Sequence, residues 1–203
     1  MRDEITAVEL RQGRLQRPPD FTGSRLVLFR QIFLRHGLPA ALLGALLLIL
    51  SGDMRMLGWE SIAAGLANPV RYAGAALAIF VGLTVYSYVR FRYLKPRQLG
   101  WILYLGALSL WEEWLFRVAG PQILTEVGLS LVVAIIVSNL LFAVMHYFTL
   151  RWRLHWCIGA FLGGMAFSFN FQQQGDLLLI AGIHWLATFL NTPRPPAGLT
   201  PEP

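Results

Sequence analysis

Cysteine is nearly absent. Cys157 stands alone among 203 residues, so neither an intrachain disulfide nor a cysteine-based zinc site can form. Within its apolar run it reads as a small buried residue. Charge is scarce too: 14% of residues against roughly 25% in globular chains. With only four histidines, each can be weighed singly. The start also lacks the marks of a cleaved leader, since residues 1–24 are polar and charged and the first apolar run comes too late. The first hydrophobic helix is therefore expected to stay as an anchor.

What the chain has in abundance is apolar surface, 56% of residues with a mean hydropathy of +0.54. This predicts an all-α, polytopic membrane protein, with about six transmembrane helices enclosing an intramembrane polar site. The net charge of +6 would suit nucleic acid. Its distribution argues instead for a lipid bilayer as partner and no nucleic acid, because the basic residues cluster in short loops between apolar runs.

Three regions follow. Residues 1–24 form a polar N-terminal arm, 25–191 a single membrane-embedded helical domain, and 192–203, with five prolines, a disordered tail. Ser24 to His36 is amphipathic and leads into Gly37–Ser51. That apolar run is shorter than the roughly 20 residues a bilayer needs, so the first span must borrow residues before Gly37 or sit in a thinned bilayer. Gly52 to Arg71 is mixed, with a turn of helix expected around Trp59. Further spans are expected over Tyr72–Val89, Leu99 to about Leu115 or beyond, Gly128–Tyr147, a short glycine-rich Trp156–Phe169, and Asp176–Asn191. Fourteen of the seventeen Lys and Arg fall in residues 1–36, the tail and the loops 90–98 and 147–155. The asymmetry predicts an integral multi-pass protein with both termini cytoplasmic. No inverted repeat of the transporter kind is visible.

The stretch Ser109-Leu-Trp-Glu-Glu-Trp-Leu-Phe-Arg117 breaks the apolar pattern. A carboxylate in hydrocarbon costs about 2.5–3.5 kcal/mol on insertion scales, so it faces a cavity or a partner. Glu113 and Arg117 are spaced for an i,i+4 ion pair with the acid first. Glu112, turned about 100° round the helix, is left without a local cation. A buried ion pair locking helices is the plainer reading of such a trio. His36 and His155 lie at predicted membrane edges and read as loop or headgroup residues. His146 and His184 lie inside apolar helices. Asn139, Phe142 and His146 share one helix face, as do His184, Thr188 and Asn191, and these polar stripes are expected to face the carboxylates. Asn139 alone reads as helix–helix glue.

Glu112-Glu113-Trp-Leu-Phe-Arg117 resembles the EExxxR signature of the CAAX proteases and bacteriocin-processing enzymes, the CPBP or Abi family. Phe142-Ala-Val-Met-His146 resembles the second motif of that family, FxxxH, and His184 in Gly-Ile-His-Trp-Leu-Ala the histidine of the third. The resemblance covers the motif-bearing core 99–191. One position departs: Thr188 stands where the family has Asn or Asp, and Asn191 lies one turn further on.

The resemblance implies an intramembrane endopeptidase acting on a membrane-associated protein or peptide, and the short loops resemble prokaryotic members. It implies Glu112 as general base on a water and Glu113 with Arg117 as a structural pair. His146 and His184 would orient the water, stabilise the oxyanion or hold a metal. The residues themselves leave two mechanisms open. A buried carboxylate suits proton transfer, while Glu112, His146 and His184 also make a three-ligand set for one divalent metal such as zinc. The geometry poses a condition. Glu112 lies about 20 Å along its helix from the cytoplasmic side, and His146 near that side on the next. Their meeting requires a fourth helix that continues past His146 toward Trp152, a third helix that begins lower, or residues 118–127 dipping back with a bend at Gly120-Pro121. The first is expected, with His146 at least a turn inside. Two rivals stand beside the peptidase: a catalytically inactive relative serving as a binding or immunity factor, and a proton or solute carrier relaying through Glu112, His146 and His184.

Overall fold

Proline, glycine and side-chain caps set the ends of the helices into which the apolar runs fold. The computed structural model describes residues 29–92 and 94–195; the N-terminal arm over 1–24 and residues 196–203 of the tail lie outside the described residues. Helix α1 runs Phe29–Leu50 and contains a π-helical turn at Phe33–Gly37. It thus takes in the residues before Gly37 that a span requires. Ser51 caps α2 (Gly52–Ser61) by accepting from the Met54 N–H, and α3 (Ala63–Ala67) follows. Pro69 opens α4 (Pro69–Phe91) and Pro96 opens α5 (Pro96–Glu113), at positions where a missing N–H costs nothing.

Helix α5 does not stop at the acidic pair. It continues through a π-helical segment, Trp114–Ala119, into α6 (Gly120–Glu126). The bend expected at Gly120-Pro121 is therefore not a break, because Pro121 sits in the first turn of α6. Gly128, at φ 98°, turns the chain into α7 (Leu131–Thr149). Helix α8 (Leu154–Gln174) is longer than the short fifth span expected, and it ends at the left-handed Gly175. Asp176 then caps α9 (Leu177–Asn191) through the Leu179 N–H and also accepts from the Tyr72 hydroxyl.

Among the described residues there is no β-strand, and the architecture is an all-α membrane bundle. Against six expected spans, four helices (α1, α4, α7 and α8) are long and apolar enough to cross a bilayer. Helix α9, at 15 residues, is shorter than a span, and α5 carries the acidic pair.

Helices α5 and α9 pack along one another more extensively than any other described pair. Gly106 permits this, since a Cβ there would lie 2.9 Å from the Trp185 ring. Trp185 Nε1 donates to the Ile102 carbonyl at 2.8 Å, and Trp101 Nε1 to the Thr192 carbonyl at 2.8 Å.

Two apolar clusters result. One joins Ile32, Leu83, Trp101, Ile102, Leu105, Leu150, Trp185 and Phe189; the other joins Ala40, Met54, Trp114, Leu115, Val118, Ala119, Leu177 and Ile180. On α1, α5 and α9 alike, a polar residue falls between members of the two clusters: His36, Glu112 and His184. The fold thus sandwiches one polar layer between two apolar ones.

Candidate active site

Glu112 and Glu113 occupy the last turn of α5, both almost fully buried. Being adjacent, they face different neighbours. Glu113 Oε2 lies 3.1 Å from Arg117 Nε, the i,i+4 pair expected. Its other oxygen lies 2.6 Å from His184 Nδ1. The Arg117 guanidinium also stands over the Phe142 ring, 4.4 Å from its centre, a favourable cation–π contact away from water.

Glu112 is ringed by imidazoles. His146 Nε2 lies 3.8 Å from Oε1 and His184 Nε2 3.8 Å from Oε2. The three positions singled out in the sequence therefore meet, though not by the route expected. Helix α7 ends at Thr149, only three residues past His146. The two meet because the end of α7 packs level with the middle of α5. Leu150, just beyond its end, packs in the same cluster as Trp101 and Leu105, so the connection after α7 lies deeper than the start of α5.

Each ring is held from behind. His146 Nδ1 donates to the Phe142 carbonyl at 2.8 Å, which leaves Nε2 of the neutral ring as a lone pair toward Glu112. His184 is held through Nδ1 by Glu113. Phe142 packs against both rings, with centroids 4.4 Å from His146 and 5.9 Å from His184.

His36 must be corrected. It is no edge residue: it is 1% exposed, and its Nε2 lies 2.7 Å from Glu112 Oε1. The sequence signal available was its place within the stretch that the first span had to borrow. His155 is an exposed residue in the first turn of α8.

Asn139 is buried away from the imidazoles. Its amide donates to the Ile135 carbonyl at 2.8 Å and to Ser168 Oγ on α8 at 2.9 Å, as helix–helix glue would. Of the three glycines Gly159, Gly163 and Gly164 on α8, only Gly164 stands where a side chain would meet a neighbouring helix. A Cβ there would fall 2.3 Å from Asn139 Oδ1, whereas Gly159 and Gly163 have nothing within 4 Å.

Those two glycines instead line a cavity of about 320 Å³ between α1, α5, α7, α8 and α9. His36, Glu112, His146, His184, Thr188 and Asn191 give it a polar floor, while Trp101, Phe142, Trp152, Trp156 and Phe167 give it apolar walls. One ligand atom from each of His36, Glu112 and His146 lies within 4.8 Å of the others, close enough for a metal ion. In that set His36 takes the place expected of His184.

Such a site can polarise a water against a buried carboxylate. Compared with known proteins, residues 94–190 match the family model described as type II CAAX prenyl endopeptidase Rce1-like. No curated protein and no solved structure gives a significant match.

Proposed function

We propose, from the match of residues 94–190 to the type II CAAX prenyl endopeptidase Rce1-like family model, that Glu112 activates a water to hydrolyse a peptide bond close to the membrane. The observation that carries this reading is the approach of two imidazole nitrogens from separate helices, each 3.8 Å from a different Glu112 oxygen. At that separation neither ring bonds the carboxylate directly, and one water can touch both.

Glu112 takes the proton of that water while His146 Nε2 holds it in line. The hydroxide attacks the scissile carbonyl carbon, and the oxygen of the tetrahedral adduct gathers negative charge. His184 receives it as an Nε2–H donor, its imidazolium steadied by Glu113 as a buried carboxylate steadies a triad histidine. The C–N bond then breaks, and Glu112 returns the proton to the leaving amine. Thr188 and Asn191 also line the cavity; Asn191 takes the oxyanion or histidine-orienting role that the family gives to an Asn or Asp at position 188.

The tryptophan and phenylalanine walls suit a substrate with a large apolar group beside the scissile bond, such as a lipidated C-terminal tail. The charge asymmetry supports both termini being cytoplasmic, and the short loops support a prokaryotic cytoplasmic membrane. Cleavage of a prenylated C-terminal peptide by the purified chain in liposomes tests the reading. Glu112→Gln is expected to abolish product, and unchanged product would end the enzymatic claim. Thr188 favours one rival, a catalytically idle relative that binds or protects a membrane protein. A cellular phenotype surviving Glu112→Gln would select it.

A further inference from the structure

Glu112 has a second buried contact that the steps above leave unused. His36 comes from α1, outside the residues 94–190 that match the family model. Its ring bridges two helices: Nε2 lies 2.7 Å from Glu112 Oε1 on α5, and Nδ1 2.7 Å from Thr149 Oγ1 on α7.

The insertion is built, not incidental. Arg35, the preceding residue, donates to the Thr149 carbonyl at 3.1 Å and the Phe148 carbonyl at 2.9 Å. These lie in the last turn of α7, where helix carbonyls lack intrahelical donors. Gly37, the following residue, lets α1 close on α5, since a Cβ there would fall 2.4 Å from the Tyr104 hydroxyl. All three residues sit in the π-helical turn Phe33–Gly37, a distortion frequent at functional sites.

Hydrogen accounting fixes the direction of the contact. A carboxylate can only accept, so with Glu112 ionised the Nε2 of His36 must carry a hydrogen. Thr149 Oγ1 also lies 2.7 Å from the Met145 carbonyl. Its hydroxyl either donates there and accepts from Nδ1–H, or turns and donates to a bare Nδ1. In both arrangements His36 donates to Oε1.

We propose that His36 is a positioning residue for the general base. It pins Oε1 of Glu112 so that Oε2 stays turned toward His184 and the water, and it ties that orientation to the end of α7 that carries His146. The proposal rests on the reading of Glu112 as the base.

The test is steady-state cleavage by the full chain in liposomes, with thermal unfolding followed in parallel. His36→Ala is expected to lower kcat about 10- to 100-fold, the size of one lost charge-assisted hydrogen bond, with KM nearly unchanged. His36→Gln, whose amide can donate from nearly the Nε2 position, recovers most of the rate. Thr149→Val lowers kcat several-fold alone but adds nothing in the His36→Ala background, as groups in one chain of hydrogen bonds should. Wild-type kcat in His36→Ala with an inactive Glu112→Gln overturns the positioning role and leaves the peptidase reading standing. An active Glu112→Gln sinks that reading first. Should His36→Ala fail to fold, Thr149→Val decides, and a folded Thr149→Val with wild-type kcat overturns the proposal.

Discussion

Glu113 Oε1 lies 2.6 Å from His184 Nδ1, which joins the carboxylate of the first motif to the histidine of the third. The other Glu113 oxygen, 3.1 Å from Arg117 Nε, belongs to the same buried group. Breaking a buried pair from one side leaves an uncompensated charge and costs about 3–5 kcal/mol. Arg117→Ala and Glu113→Gln are both expected to lower the unfolding temperature sharply, and Glu113→Gln also to slow cleavage by freeing His184. Arg117→Lys will not restore stability, because a lysine offers neither the Nε contact nor the flat cation over Phe142. Unfolding of the three variants in detergent checks this, and an unshifted midpoint for Arg117→Ala would falsify it.

Phe142 is the residue on which the three motifs meet. Its ring lies under Arg117 and beside His146 and His184. Phe142→Ala is expected to cost about 3–5 kcal/mol in stability, as large-to-small changes in cores do. Phe142→Leu keeps much of the volume but loses the aromatic face, so it should stay folded with slower turnover. Equal kcat in Phe142→Leu and wild type would show that the ring only fills space.

Neighbouring glycines on α8 make opposite predictions. A Cβ at Gly164 would fall 2.3 Å from Asn139 Oδ1 and 3.0 Å from Arg117 Nη2, whereas at Gly163 it would meet nothing within 4 Å. Gly164→Ala is therefore expected to destabilise the protein, by the 1–3 kcal/mol or so typical of overpacking. Gly163→Leu should leave the unfolding midpoint near wild type and instead fill the cavity, raising KM most for the bulkiest substrates. The pair is read by unfolding and by KM; a Gly163→Leu variant with wild-type KM for every substrate length would place the substrate elsewhere.

The helical class and the meeting of three motif positions were legible because charge inside apolar runs is costly and conspicuous. Glu112, Glu113, Arg117, His146 and His184 advertise themselves against leucine and valine. His36 did not, because it follows Arg30 and Arg35 in a stretch whose pattern is that of an interfacial helix. Only the packing of α1 against α5 and α7 reveals that Arg35 reaches the end of α7 while His36 turns inward. The depth of His146 was misjudged for a related reason. A loop holding Arg151 and Arg153 reads as a surface connection, yet Leu150 packs in the core and Trp152 beside it. Hydropathy reports the composition of a loop but not how closely it packs against neighbouring helices.

The same crowding around Glu112 bears on metal dependence. Tetrahedral zinc with nitrogen and oxygen ligands near 2.0 Å holds its ligand atoms roughly 3.3 Å apart. His36 Nε2 and Glu112 Oε1 stand 2.7 Å apart, a hydrogen-bond distance with a proton between them. His146 Nε2, at 3.8 Å from the same oxygen, is too far for such a bond and is free to hold water. Cleavage is therefore expected to survive exhaustive chelation, with rates unchanged before and after dialysis against chelator and metal content followed by elemental analysis. If activity falls with the metal and returns with added zinc, the roles change. Glu112 would then serve as a ligand beside His36 and His146, and the proton would have to be taken by another group.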